Sequence, residues 1–285
     1  MKIFNQDVYV KDYDCSFNQA YFENKYPLIG LYIQSENACN ANCDFCNPGK
    51  INNSFNLLKL DKILQELTNK QILSKISITG GEPLINIGKI KDIINICKKY
   101  NLPLFLNTNG YNIDKLEEIY SNFNTIYISK HHYDNSINNK IMNLQTPSIL
   151  EFSKINKDSK ICLNCVLQKG YIDSYEKVIE FLEYLGNTNI DKIRFISLYP
   201  LTKKAVEKMI NVDIIIKNCK KFTNAGILYD KDICCCLDFL YVTKLGKVVS
   251  VQIKNNKTNK MPCCRQLVFN GEYLYDGFEK KNIIF

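Results

Sequence analysis

No run of eighteen or more apolar residues occurs in the sequence, which excludes a membrane-spanning helix of ordinary length. The opening stretch MKIFNQDVYVKDYD carries acids where a signal peptide would be apolar, so a cytoplasmic location is expected. A dense basic stripe is missing too, since the basic residues are scattered, with only short pairs such as Lys98-Lys99, Lys203-Lys204 and Lys220-Lys221. The formal charge of +8 therefore reads as a solvated surface, and neither nucleic acid nor membrane is an expected partner. Histidine is scarce, with two residues in the chain, and there is no flexible linker and no repeat beyond an alternation of strand and helix patterns.

What is there is a chain of 285 residues, 46% hydrophobic, with 13 cysteines. That length buries a real core, in one large domain or one domain with a small appendage. Cysteines in a reducing compartment are thiols or metal ligands, and an odd count argues against a closed disulfide framework.

Six short apolar runs read as buried strands: Leu28 to Ser35, Ile76 to Thr79, Leu104 to Thr108, Thr125 to Ser129, Ile161 to Leu167 and Ile193 to Leu198. Helical spacing appears between them, in Leu60, Ile63, Leu64 and Leu67, in Ile90, Ile93, Ile94 and Cys97, in Leu116, Ile119 and Tyr120, and in Val178, Phe181, Leu182 and Leu185. Asp114 and Asp173 stand where N-caps belong. Strand and helix alternating about every thirty residues is the pattern of parallel βαβ units, and six fall short of the eight that close a standard barrel. The expected fold is α/β: an open, partial TIM-like (βα)6 barrel over residues 28–200, after an N-terminal segment 1–27. A small cysteine-rich α+β extension is expected over 201–285, with a helix from Asp213 to Ala225, a hairpin around Leu245-Gly246, and short strands at Leu267 to Phe269 and Tyr273 to Tyr275. Ligands in such a sheet gather at the carboxyl ends of the strands.

The first strand runs into CNANCDFC, which spaces Cys39, Cys43 and Cys46 as CxxxCxxC. Three thiolates in one short loop can hold three irons of a [4Fe-4S] cluster and leave the fourth open. Structural zinc usually asks for a fourth protein ligand, and a zinc loop or buried thiols is the alternative. The second strand ends in TGGEP, where Gly80 and Gly81 let the backbone approach a ligand and Glu82 can accept from an ammonium group.

In this combination the chain resembles the radical S-adenosylmethionine (SAM) superfamily. The likeness runs from about Leu28 to Pro200 and includes NTNG at Asn107 to Gly110 after the third strand. It implies a partial (βα)6 barrel in which SAM chelates the open iron, one electron cleaves the sulfonium, and a 5'-deoxyadenosyl radical abstracts a substrate hydrogen. It further implies a reductant such as flavodoxin or ferredoxin. Cys39, Cys43 and Cys46 resemble the cluster ligands, and Phe45 is similar to the aromatic residue beside the adenine. Gly80, Gly81 and Glu82 resemble the segment that receives the SAM amino group, with Asn109 in the following loop. Ser129 and Asn164 fall where the family contacts the SAM carboxylate or ribose, and Ser197 and Leu198 near its adenine pocket. A barrel interior closed by loops suits radical chemistry because it excludes stray hydrogen donors.

His131 and His132 follow the fourth strand, in a position suited to holding an anionic group, shuttling a proton or orienting a substrate. In the tail, Cys234, Cys235, Cys236, Cys263 and Cys264 are enough for an auxiliary iron-sulfur cluster, with zinc or buried thiols as alternatives. The tail departs from the common SPASM extension, because Val251 stands where its second cysteine belongs. Successive cysteines in an extended chain point to opposite faces, so 234–236 cannot all face one metal. Cys15, Cys97 and Cys162 read as core thiols, while Cys165 and Cys219 remain open. The expected substrate is a small metabolite. A ribosomal peptide is the alternative, and it would require a separate recognition protein because only 38 residues precede Cys39. A non-catalytic zinc-binding protein is the reading from another class.

Overall fold

The computed structural model describes residues 2–7, 29–46, 54–200, 202–222, 227–230, 236–255, 266–278 and 282–285. A short ribbon of β1 (Lys2–Ile3) and β2 (Gln6–Asp7) comes first. The barrel strands are β3 (Ile29–Glu36), β4 (Leu73–Gly80), β5 (Leu104–Thr108), β6 (Thr125–Ser129), β7 (Ile161–Leu167) and β8 (Lys192–Ser197). All five neighbouring pairs among them are parallel. The crossovers carry α1 (Leu57–Asn69), α2 (Ile87–Lys98), α3 (Ile113–Ile119), α4 (Asn135–Met142), α5 (Ile149–Ile155) and α6 (Tyr175–Leu185). The expected partial barrel is present, with strand bounds close to those read from the apolar runs.

Beyond β8 come α7 (Lys203–Glu207), α8 (Val212–Phe222), β9 (Ile227–Asp230), β10 (Cys236–Val242), β11 (Val248–Lys254), β12 (Gln266–Phe269) and β13 (Leu274–Tyr275). These strands extend the barrel sheet at both edges, in the order β13-β12-β3-β4-β5-β6-β7-β8-β11-β10-β9. β11 lies parallel to β8, and β12 lies parallel to β3. The hairpin at Leu245-Gly246 forms as expected, with Gly246 at φ +79.

Three helices bury the whole stripe that their spacing announced, Leu60, Ile63, Leu64 and Leu67 on α1, Ile90, Ile93, Ile94 and Cys97 on α2, Val178, Phe181, Leu182 and Leu185 on α6, while α3 buries Leu116 and Ile119 and ends before the half-buried Tyr120. Two caps differ from expectation. Asn112, not Asp114, caps α3, and Ser174, not Asp173, caps α6. Each of those aspartates is displaced from the cap: Asp114 lies in the first turn of α3, and Asp173 accepts from Gly170 N.

Alternation along the strands separates two faces. Leu31 and Ile33, Ile76 and Ile78, Leu104 and Leu106, Ile126 and Ile128, Leu163 and Cys165, Ile193 and Phe195 are buried on the helix side. The opposite row lines the concave face and is mostly polar or aromatic, with Tyr32 and Gln34, Ser77 and Thr79, Phe105 and Asn107, Tyr127 and Ser129, Asn164 and Arg194, and with the aliphatic pair Val166 and Ile196. Cys97, Cys162, Cys165 and Cys219 are buried free thiols, the last two thereby joining the core.

Lys130, directly after β6, is wholly buried. Its Nζ donates to Asn135 Oδ1 and Thr146 Oγ1, both at 2.8 Å, and to the Pro147 carbonyl. One side chain thus ties the end of β6 to the start of α4 and to the approach to α5. Burial pushes its ammonium down from 10.5 to about 7. The unfolded side chain holds its proton up to its ordinary value, so between those two values the folded chain binds fewer protons and gains stability as pH rises. Chemical denaturation of the native protein and Lys130→Met across pH 7 to 10.5 checks this: the variant is expected to lose about 2–4 kcal/mol and to show a flatter slope over that window.

Candidate active site

The carboxyl ends of β3, β4 and β5 deliver three loops to one place, and hydrogen bonds join them in series. Gly81 N donates to Glu36 O at 2.6 Å, and Glu82 N donates to Ala38 O at 2.9 Å. A Cβ on Gly81 would strike the Ala38 and Asn37 carbonyls, and Gly80 adopts φ +150, so both glycines answer a steric demand of the cysteine loop. Glu82 is wholly buried; its Oε1 accepts from Leu84 N at 2.9 Å and Thr108 Oγ1 at 2.6 Å, and its Oε2 accepts from Asn109 N at 2.6 Å. Burial pushes this carboxyl up, and the three hydrogen bonds pull the other way. Asn109 carries the chain of contacts on, donating from Nδ2 to Asn40 Oδ1 at 2.8 Å inside the cysteine loop.

Cys39 and Cys43 are half-buried in that loop and Cys46 is exposed. Burial raises all three thiols, Cys43 to about 12 with further pressure from Cys46 and Cys39. They sense one another as charges, yet among the described residues no three Cys, His, Asp or Glu close on a point as they would on a single metal ion. A cluster that takes each thiolate on a different iron requires that wider spacing.

Two further elements hold the loop, neither legible from the motif. The Met142 carbonyl at the end of α4 accepts from Asn42 N at 3.0 Å and from the Cys43 thiol at 4.0 Å. Asp44, between two of the cysteines, pairs with Lys204 at 3.4 Å and Lys208 at 3.1 Å, while Thr202 Oγ1 donates to the Asp44 carbonyl at 3.4 Å.

His131 and His132 both lie at the carboxyl end of β6, buried. His131 Nδ1 accepts from Val166 N at 3.2 Å, and its ring meets Phe45 edge-on at 5.1 Å. Burial first, then the Lys130 charge, pushes it down to about 3, so it is a neutral imidazole with its proton on Nε2 and has no proton to shuttle near neutrality. His132 Nδ1 accepts from Asp134 N at 3.0 Å, and burial lowers it as well. Ser129 lies opposite Asn164 in register, and Asn164 lies opposite Arg194. The Asn164 Oδ1 is buried without a hydrogen-bond partner among the described residues. Ser197 falls on the helix-facing row with Ile193 and Phe195, which leaves Leu198 for the concave row. Cys15, Cys234, Cys235, Cys263 and Cys264 lie outside the described residues, as does the side chain of Cys236.

The sequence profile described as Radical SAM superfamily matches residues 33–212, from within β3 through both motif loops and the other five barrel strands. The chain belongs to the radical SAM superfamily. It is similar to a GTP 3',8-cyclase of Staphylococcus carnosus, 30% identical over 188 residues, which covers 60% of this chain and 54% of that one. A GTP 3',8-cyclase of Helicobacter pylori J99 is 28% identical over 214 residues, 66% of this chain and 62% of that one. The chain thus spans little more than half the length of these relatives. Streptococcus suis SuiB bound to S-adenosylmethionine has the same fold, with a TM-score of 0.53 and 22% identity over 62% of this chain and 42% of SuiB.

This radical SAM protein is an enzyme that uses a [4Fe-4S] cluster and SAM, which removes the non-catalytic zinc alternative. Its residues fit both groups. The loop after β3 carries three thiols in eight residues, and Gln34, Asn37 and Asn164, in or just after β3 and in β7, have buried oxygens without a hydrogen-bond partner among the described residues. Among the described residues no helix is long and apolar enough to cross a membrane. Gly81→Ala is expected to push the cysteine loop off the Gly80-Gly81 turn at a cost of about 1–3 kcal/mol. Iron per chain after anaerobic reconstitution should fall to a minor fraction while far-UV circular dichroism is unchanged; full iron loading would refute this.

Proposed function

We propose that the protein abstracts a hydrogen atom from a small metabolite that carries an anionic group, with Cys39, Cys43 and Cys46 holding the cluster. The bound cluster and SAM supply the electron and the 5'-deoxyadenosyl radical. Gly80, Gly81 and Glu82 receive the SAM ammonium: the Glu82 carboxylate accepts from three donors, two on Oε1 and one on Oε2, which leaves Oε2 a further lone pair. Ser129 and Asn164 face the SAM carboxylate or ribose. His131, neutral and fixed by Val166, offers its Nε2 proton as a hydrogen bond that orients rather than as an acid.

Arg194 is the observation that carries the substrate class. All but two of the 37 basic residues are lysine, so this chain uses lysine wherever a point charge suffices. Of the two arginines, Arg265 lies outside the described residues, and Arg194 stands on the concave face. Its guanidinium lies over the Tyr127 ring at 4.6 Å, and its Nε donates to Gln252 Oε1 at 3.0 Å. Gln252 in turn donates to Asp238 Oδ1 at 2.8 Å. The guanidinium puts a fixed positive charge on the concave face, and a carboxylate or phosphate is the group that such a charge attracts. The relatives named for GTP, an anionic nucleotide, accord with that class.

A cytoplasmic setting with flavodoxin or ferredoxin as reductant suits the reaction, and the buried free thiols suit such a compartment. An auxiliary iron-sulfur cluster on Cys234 or Cys235 with Cys236, Cys263 and Cys264 belongs to the same proposal.

Anaerobic protein with dithionite and SAM is expected to release 5'-deoxyadenosine, faster when the small-molecule fraction of a cell extract is added. Stimulation by the peptide fraction alone would overturn the metabolite reading in favour of peptide modification. Arg194→Lys should raise the KM for the stimulating fraction by about tenfold and leave uncoupled SAM cleavage intact. For the auxiliary cluster, the triple Ala variant of Cys39, Cys43 and Cys46 should retain iron and sulfide; an iron-free protein would eliminate the second site.

A further inference from the structure

We infer that Gln168 reads the adenine edge of SAM. Gln168 directly follows β7, is wholly buried, and neither its Nε2 nor its Oε1 has a hydrogen-bond partner among the described residues. Leaving a buried amide unpaired is costly, so a position like this calls for a complementary partner. The side chain is kept inside by its own backbone. Gln168 N donates to Ile172 O at 3.1 Å, Tyr171 N donates back to Gln168 O at 3.2 Å, and Lys169 N donates to Lys208 O at 2.9 Å.

Neighbours define what that partner is. Strand alternation puts Gln168 on the row of Asn164 and Val166, and Val166 N–H holds His131, whose ring packs on Phe45. The register that sets Leu167 opposite Ser197 brings Gln168 beside Leu198, which is buried and aliphatic. Two flat rings, one aliphatic side chain and one unpaired carboxamide suit a planar heteroaromatic group that presents a donor next to an acceptor. A carboxamide pairs with adenine in that way, its oxygen accepting from the 6-amino group while its nitrogen donates to the adjacent ring nitrogen. SAM, which this enzyme uses, carries such a ring.

The test measures SAM affinity by equilibrium dialysis of the anaerobically reconstituted enzyme, alongside iron content. The probes are SAM and its purine analogue lacking the 6-amino group. The native protein should bind the analogue about tenfold more weakly than SAM, and Gln168→Leu should bind SAM about tenfold more weakly, with full iron and no preference between the two. Gln168→Met, of similar volume, repeats the measurement with less disturbance of packing. Either variant binding SAM as tightly as the native protein, or keeping the native preference over the analogue, overturns the inference. Loss of the cluster in both variants makes Gln168 a structural residue and overturns it equally.

Discussion

The carboxylate of Glu82 is the interaction on which the functional end of the barrel depends. A buried charge is costly unless donors surround it, and Glu82 obtains three, from Leu84, Thr108 and Asn109. Two of those donors come from the last residue of β5 and the first residue after it, so satisfying one carboxylate fixes the β4 loop against the end of β5. Asn109, held by that bond, is then placed to reach Asn40. The cysteine loop is therefore positioned by an acid that lies in a different loop and need not touch the metal.

This arrangement resolves an electrostatic conflict. Two half-buried thiols and an exposed one share this short loop, and burial, with the charges of neighbouring thiols added at Cys43 and Cys46, raises all three. Without an external frame, a short loop would relax by turning a thiol to solvent. The frame consists of backbone bonds from Gly81, Glu82 and Asn42, whose partners are neutral carbonyls and which do not depend on the charge of the sulfurs. Iron held by these sulfurs would supply a positive charge that favours their thiolate form.

The helices were legible in the sequence because one apolar stripe per helix repeats at 3.6 residues, and α1, α2 and α6 bury every residue so marked. The strands were legible because short runs rich in Ile, Leu, Phe and Tyr place a buried apolar residue at every second position. What could not be read is long-range pairing. β11 and β12 join opposite edges of the sheet, a fact with no local signature in the hairpin or tail. Asp44 finds Lys204 and Lys208 some 160 residues away. The caps of α3 and α6 were misplaced for a local reason: two polar residues compete within each turn entry, and backbone geometry chooses Asn112 and Ser174. Ser197 shows the same limit on the β8 end, since reading a strand end from sequence does not settle which face its last residue takes.

Contacts at the mouth of the barrel divide by strength, and the division bears on how the site holds together. The Asp44 pairs are largely open to solvent, with Lys204 68% and Asp44 47% exposed, so they contribute little free energy. Lys169 N to Lys208 O and Asn42 N to Met142 O are backbone bonds, and they set the distances. Lys208 takes part in both kinds, through its carbonyl toward β7 and its ammonium toward the cysteine loop. The segment after β8 is thus anchored firmly to the β7 side and lightly to the loop with the three cysteines.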